Sequence, residues 1–215
     1  MELNRATDAL LIIDLQNDFC PAVNGVGGAL AVTGGDQIAP VINLLAQCFA
    51  HVVLTQDWHP AGHISFASAH PGAEPYTTIT VPYGSQTLWP DHCVQNTAGA
   101  DFHPGLSVPH AGLILRKGFR RDIDSYSAFV ENDHSTPTGL ADHLRERGLT
   151  RLFFCGLAYD FCVRYSAIDG TALDFECFVI EDASRAVGPS GSVLAADQAF
   201  EEAGIQRIRA EDLLM

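Results

Sequence analysis

Cys162 is the residue best placed for nucleophilic chemistry. It follows a strand-like run over 151–156 and a short turn, and a helical segment begins at this cysteine. The free N–H groups and the positive dipole end of a helix favour a thiolate over a thiol, and they can bind an oxyanion formed beside it. The alternative is a buried structural cysteine, which is the commoner role of this residue. Other motifs must decide between the two.

Asp14 and Lys117 each follow or end another apolar run. Asp14 stands directly after residues 9–13, and Lys117 closes residues 113–117. Open parallel α/β sheets bind ligands at the carboxyl ends of their strands. There a carboxylate can act as acid or base, and an ammonium group stabilises both a carboxylate and a thiolate. The alternatives are a solvated lysine and an aspartate that caps a turn, although the capping role fits Asp18 better.

A metal-binding pattern follows the second strand-like run. Asp57 and His59 are two positions apart, so an extended backbone points both side chains to one face, and His92 can approach from the far end of a long loop. Two imidazoles and a carboxylate suit Zn²⁺, Fe²⁺ or Mn²⁺, with water completing the shell. His63 competes with His92 as third ligand, or it is a loop histidine bonded to backbone.

The composition limits the class of protein. The chain has 215 residues, 47% of them apolar, and no linker-like stretch, which predicts a single domain over 1–215. A net charge of −14 argues against nucleic acid and anionic membranes as partners. The first apolar run is interrupted by an aspartate where a signal peptide would need continuity, so we expect a cytoplasmic protein. The six cysteines lack a C-x-x-C pair and are interpreted as free thiols, with Cys48, Cys155 and Cys177 as core residues.

Apolar runs alternate with helical segments along the chain, which predicts an α/β fold with three αβα layers and a central, mainly parallel six-stranded sheet. Strands are predicted over 9–14, 51–56, 112–116, 151–156, 176–181 and 206–209. Helices are predicted over 37–49, 138–147, 162–173 and 190–203. The 54 residues of 58–111 show little periodicity. A connection of this length usually has a functional role and does more than join two elements.

Taken together, the motifs resemble the nicotinamidase (pyrazinamidase) branch of the isochorismatase-like cysteine hydrolases. They cover nearly the whole chain in order: I-D-x-Q-N-D-F, D-W-H-P, W-P-x-H-C, K-G followed by D-x-Y-S-A-F, and G-x-A-x-D-x-C-V. The combination of D-W-H-P with W-P-x-H-C is typical of the metal-containing nicotinamidases. One departure is the segment 21–30, which is longer than the usual C-P-G-G-A-L link of the family.

The resemblance implies the isochorismatase-like hydrolase fold and a role in NAD salvage. It implies a catalytic triad of Asp14, Lys117 and Cys162 acting on nicotinamide, and on pyrazinamide as well. Asp14 would take the thiol proton, and a thioester would form and be hydrolysed to nicotinate. The implied metal ligands are Asp57, His59 and His92, with Zn²⁺ expected first and Fe²⁺ or Mn²⁺ as alternatives.

The resemblance also implies how the substrate is held. Backbone N–H groups of Ala158 and Cys162 would bind the oxyanion, and the peptide bond between Leu157 and Ala158 would be cis. The expected substrate contacts are Leu157 and three aromatic walls, Phe19, Trp89 and Tyr126, for which ordinary core packing is the alternative. The expected partner is then the small-molecule substrate nicotinamide, and both a monomer and a homo-oligomer are compatible with the resemblance.

Two other functions compete with a cysteine amidase. In a metallohydrolase the metal would activate water, and Cys162 would be dispensable. A catalytically silent scaffold of the same fold would lack part of the triad. All three triad residue types are present, which disfavours the scaffold.

Overall fold

A computed structural model describes residues 1–188 and 191–214. Its eight strands are, in chain order, β1 (Asp8–Ile13), β2 (His51–Asp57), β3 (Thr78–Val81), β4 (Gly84–Thr87), β5 (Leu113–Lys117), β6 (Arg151–Leu157), β7 (Glu176–Arg185) and β8 (Gln206–Ile208). Six of them form one sheet in the order β5-β2-β1-β6-β7-β8, and every neighbouring pair is parallel. The other two, β3 and β4, form an antiparallel hairpin.

Helices cover both faces of the large sheet. They are α1 (Ala39–Cys48), α2 (Leu140–Glu146), α3 (Arg164–Ala172) and α4 (Ser192–Glu202). Alternate residues of a strand point to opposite faces, so Leu10 and Ile12 of β1 join the core under α1, whereas Leu11 and Ile13 join the core under α2, α3 and α4. Among the residues described, no helix is long and apolar enough to cross a membrane.

The predicted three-layer architecture is confirmed; the differences are the β3–β4 hairpin, which was not predicted, and several element ends. The strand predicted over 176–181 continues to Arg185, after a register shift between β6 and β7. The helix predicted from 162 begins at Arg164, because a π-helical turn (Tyr159–Val163) precedes it. The predicted start of the last helix, Ser190, lies outside the described residues. Cys48, interpreted as a core residue, is only half-buried.

The central strands approach each other closely just before the site. Gly156 of β6 pairs with Ile13 of β1 and has φ +115°, a region that L side chains rarely adopt. A Cβ at this position would lie 2.1 Å from the Ile13 carbonyl oxygen. Glycine therefore lets Asp14, the residue after β1, lie beside the turn that leads to Cys162.

Candidate active site

Lys117 lies at the centre of the site. It is the last residue of β5 and is 1% exposed. Its Nζ lies 2.8 Å from Asp14 Oδ2, 3.0 Å from the Ser125 carbonyl oxygen and 3.4 Å from Cys162 Sγ, and it also donates to Asp57 Oδ1. An ammonium group has three N–H donors. With four acceptors around it, at least one donor is shared, and Lys117 joins Asp14, Asp57 and Cys162.

Asp14 is fully buried and has the features of an acid–base group. It follows β1 with a left-handed φ of +47°. Its Oδ1 accepts a hydrogen bond of 2.6 Å from the Thr55 hydroxyl. Burial raises the pKa of Asp14, and Lys117 and Thr55 lower it without cancelling the effect, so the pKa stays above its ordinary value. A raised pKa suits a carboxyl group that must take and return a proton near neutral pH.

Cys162 lies within reach of Asp14, and its surroundings favour the thiol over the thiolate. Its Sγ and carboxylate oxygens of Asp14 and Asp57 all lie within 4.8 Å of one another. Burial raises the pKa of the Cys162 thiol well above its ordinary value; Lys117 lowers it, whereas the two carboxylates raise it further. Burial and the two carboxylates thus oppose the effect expected of a helix start, which favours the thiolate. The proton has to be removed as the sulfur reacts.

Lys117→Met should make Cys162 harder to deprotonate, because it removes the only group here that lowers the thiol pKa. Alkylation of Cys162 should slow by about tenfold or more at a given pH, since a nearby opposite charge shifts a pKa by about 1 to 3. Lys117→Arg should restore only part of the alkylation rate, because a guanidinium does not reproduce the compact point charge of an ammonium group. The measurement is the rate of thiol alkylation against pH.

Arg116→Met is the matched control for this test, since it removes an exposed cation one residue away on the same strand. Near-ultraviolet circular dichroism of each variant shows whether it is folded. Superimposable alkylation profiles for wild type and Lys117→Met would mean that Lys117 exerts no field on the thiol.

Three side chains form a group that could hold a metal ion. Ligand atoms of Asp57, His59 and His92 lie within 4.8 Å of one another, with Asp57 Oδ2 3.5 Å and 3.8 Å from the two Nε2 atoms. His59 Nδ1 lies 2.9 Å from the Gly118 carbonyl oxygen, and His92 Nδ1 lies 2.8 Å from that of Pro90. Donation of Nδ1–H to these carbonyls leaves each Nε2 lone pair facing Asp57, the arrangement found around metal-bound histidines.

Asp57 is held in position by Gln16, whose role the sequence did not predict. Burial raises the pKa of Asp57, but Lys117 and His59 outweigh it and bring the pKa well below its ordinary value, which favours the carboxylate. The fully buried Gln16 accepts a hydrogen bond from the Asp57 N–H and donates one to the Asp57 carbonyl, both 2.8 Å long. The partners are 41 positions apart, and nothing in the motif spacing indicated their contact.

His63 does not belong to the same group as His92. Its Nδ1 lies 2.7 Å from Ser65 Oγ and its Nε2 lies 3.2 Å from the Ile123 carbonyl oxygen. Burial, and then His59, lower the pKa of His63 to about 4, so it is neutral at physiological pH. Its ligand atoms instead form a second group with His59 and Asp124. His59 is common to both groups.

A cavity of about 340 Å³, including its open mouth, is lined by Asp57, His59 and His92 of the metal-binding group. Its walls include the predicted aromatics Phe19, Trp89 and Tyr126, together with Ala158 and Cys162. A space of this size and an apolar lining with few polar groups suit a small aromatic ligand. The lining residues that sequence reasoning missed are Leu30, Asp124, Phe161 and Val187.

Leu157 does not line the cavity, contrary to expectation. It is the last residue of β6 and is fully buried in the core, where a Cβ on Gly35 would lie 3.1 Å from its Cδ1. The peptide bond from Leu157 to Ala158 is cis. It is Ala158, after the strand, that faces the cavity.

The chain belongs to the isochorismatase family, since the family model described as Isochorismatase domain matches residues 8–211. It is 51% identical over 207 residues to a nicotinamidase from Acinetobacter baylyi, covering 96% of this chain and 94% of that protein. A nicotinamidase and pyrazinamidase structure from Acinetobacter baumanii superimposes with a TM-score of 0.94 at 51% identity, covering 97% and 99% of the two chains.

A more distant structure is relevant to the metal-binding group. A pyrazinamidase from Pyrococcus horikoshii in complex with zinc matches with a TM-score of 0.74 at 32% identity, covering 94% of this chain and 98% of that one. These comparisons confirm the predicted family, its fold and the enzyme class, an amidohydrolase.

Proposed function

We propose that the protein hydrolyses nicotinamide to nicotinate and ammonia, and that it also accepts pyrazinamide, which carries the same carboxamide on a similar ring. The observation that carries the proposal is the position of the Lys117 ammonium, which lies 2.8 Å from Asp14 and 3.4 Å from the Sγ of Cys162, a residue that lines a cavity with aromatic walls. The similarity to the Acinetobacter baylyi nicotinamidase supports the choice of substrate.

The first half of the reaction forms a thioester. Asp14 takes the Cys162 proton, and the sulfur attacks the carboxamide carbon. The carbonyl oxygen becomes an oxyanion, which the N–H groups of Ala158 and Cys162 bind; each such donor is typically worth about 3 kcal/mol. Asp14 then returns the proton to the nitrogen, the C–N bond breaks, and ammonia leaves.

The second half releases the acid. Asp14 deprotonates a water molecule, whose oxygen attacks the thioester carbon. The C–S bond breaks, the sulfur of Cys162 regains the proton from Asp14, and nicotinic acid leaves and loses its remaining carboxyl proton to solvent as nicotinate. Lys117 pairs with whichever of Asp14 and Cys162 carries the negative charge at each stage, so the site never holds an unpaired buried anion.

We also propose that Asp57, His59 and His92 hold a divalent metal ion, with Zn²⁺ expected first. One carboxylate and two neutral imidazoles are a donor set that Zn²⁺ accepts, and the zinc complex of the related pyrazinamidase supports this choice. When bound, the metal supplies a Lewis acid for the pyridine nitrogen, which orients the ring. Phe19, Trp89 and Tyr126 enclose it.

The test is the release of ammonia by the purified, zinc-loaded protein. Nicotinamide and pyrazinamide should be hydrolysed, and benzamide, which lacks a ring nitrogen, should react much more slowly. If nicotinamide yields no ammonia, the proposed function is wrong. If benzamide reacts equally well, the proposed contact of the metal with the pyridine nitrogen is wrong.

A further inference from the structure

Asp160 is a buried carboxylate that the proposed reaction does not use, although it belongs to the G-x-A-x-D-x-C-V motif. It lies in the π-helical turn that contains Cys162. Its Oδ1 accepts the Val187 N–H at 3.0 Å, and its Oδ2 accepts the Gly188 N–H at 3.0 Å and the Ser192 hydroxyl at 2.6 Å. These donors all come from beyond β7, so Asp160 joins the turn of the nucleophile to the chain that follows this strand.

Val187 is a wall of the cavity whose position the sheet does not set. It lines the same cavity as Cys162. Its strand, β7, ends at Arg185, so the pairing of β7 with its neighbours stops before Val187. The Val187 N–H is donated to the Asp160 carboxylate instead. Because Asp160 and Cys162 belong to one turn, this hydrogen bond sets where the Val187 side chain lies relative to the reacting sulfur.

The acceptors that Asp160 provides require a carboxylate. Two backbone N–H groups face two different oxygens of this side chain. A carboxylate has two acceptor oxygens, whereas an asparagine amide has one acceptor oxygen and one donor NH2 group. Asp160→Asn would therefore turn its NH2 group toward either the Val187 N–H or the Gly188 N–H. An N–H group that faces another donor loses its hydrogen bond, so the chain at Val187 would no longer be held.

We propose that Asp160 is a positioning residue for substrate specificity: it holds Val187 against the cavity, and Val187 limits the size of the ring that enters. The inference rests on the proposed function, because it concerns which aromatic carboxamides fit the same site. Valine is β-branched and its side chain is stiff, so a fixed backbone gives a fixed wall. A single methylene group in an apolar pocket changes specificity by about 10- to 200-fold. A fixed wall can therefore exclude a ring that carries one extra methyl group.

The experiment compares nicotinamide with nicotinamides that carry one methyl group, placed in turn on each free ring carbon. The measured ratio is the kcat/KM of each methyl compound divided by that of nicotinamide. Val187→Ala should raise this ratio by about tenfold or more at the ring position that faces Val187, and only there. Asp160→Asn should raise it at the same position by a smaller factor, because a wall that is no longer held yields to the methyl group. Nicotinamide itself tests the proposed function separately in the same assay.

Tyr159→Phe is the matched control for Asp160→Asn. The Tyr159 hydroxyl donates to Asp197 Oδ1 at 2.6 Å, so it also ties the π-helical turn to α4, but this contact does not involve Val187. Its loss should leave the ratio unchanged at every ring position. An equal rise in Tyr159→Phe and Asp160→Asn would overturn the proposal, because the effect would then come from a general loosening of the turn.

Two further results contradict the proposal. One is that Val187→Ala raises the ratio at no ring position, and the other is that Asp160→Asn leaves it unchanged at the position that Val187→Ala identifies. Near-ultraviolet circular dichroism shows whether each variant is folded. If Asp160→Asn does not fold, Ser192→Ala takes its place, since it removes one donor to the same carboxylate. An unchanged ratio in Ser192→Ala then overturns the proposal.

Discussion

Cys162→Ala should abolish the hydrolysis of nicotinamide, with a loss of about 10⁴-fold or more in kcat, as expected when a catalytic nucleophile is removed. Without the sulfur no thioester can form, and within the described part of the chain Cys162 is the only cysteine that lines the cavity. The measurement is ammonia release under saturating nicotinamide. The variant should stay folded and keep its metal, because alanine leaves Asp57, His59 and His92 untouched.

Cys155→Ala is the matched control, since it removes a buried thiol from the adjacent strand β6 without touching the cavity. It should keep its activity if it folds. Activity of more than a trace in Cys162→Ala would instead favour a metallohydrolase, in which a metal-activated water attacks the substrate and the cysteine is dispensable. Ammonia release by that variant therefore decides between the two chemistries.

The ends of the parallel strands could be predicted because their residues are specified locally. The apolar runs of β1, β2 and β5 are short and end at polar residues, so Asp14 and Lys117 were expected at the carboxyl edge of the sheet and Asp57 directly after the second strand. Parallel pairing then determines which ends meet, since β1 lies between β2 and β6 and β2 lies next to β5. The fold class and the candidate reactive residues could therefore be predicted from the alternation of short apolar runs and polar strand ends.

The contacts that hold those groups in place could not be predicted in the same way. Gln16 binds both backbone groups of Asp57, and Gln86 binds Asp124, across 41 and 38 positions of sequence. Such pairs depend on where loops return, which periodicity does not encode. The hairpin of β3 and β4 was missed for a related reason: its strands have only four residues each, too few for alternation to stand out.

The pKa of the Cys162 thiol depends on two opposing sets of effects, and only one set could be inferred from the sequence. A helix start and a lysine favour the thiolate, and both could be inferred from the sequence. Complete burial and two nearby carboxylates favour the thiol, and they are visible only once the strands are assembled. The position of Leu157 also could not be inferred from the sequence: its neighbour Ala158 faces the cavity, whereas Leu157 faces the core.

The metal-binding residues give the second large expected effect. His92→Ala should lose bound zinc and weaken nicotinamide binding, because it removes one of three ligand atoms that lie within 4.8 Å of one another. Loss of even a hydrogen-bond partner of a ligand costs about 10- to 100-fold in metal affinity, so loss of the ligand itself should cost at least as much. The measurements are zinc content after dialysis, zinc affinity by competition with a chelator, and the Kd of nicotinamide.

Among the residues described, two of the groups that could hold a metal contain histidines, and three variants distinguish these two. His59 belongs to both, so His59→Ala should lose zinc whichever group binds it and serves as the positive control. His92 belongs only to the group with Asp57, and His63 only to the group with Asp124. His63 already has partners at both ring nitrogens, Ser65 and the Ile123 carbonyl, which leaves it less free to bind a metal. We therefore expect His63→Ala to retain most of its zinc. Full zinc occupancy in His92→Ala together with loss of zinc in His63→Ala would instead assign the metal to the group of His59, His63 and Asp124.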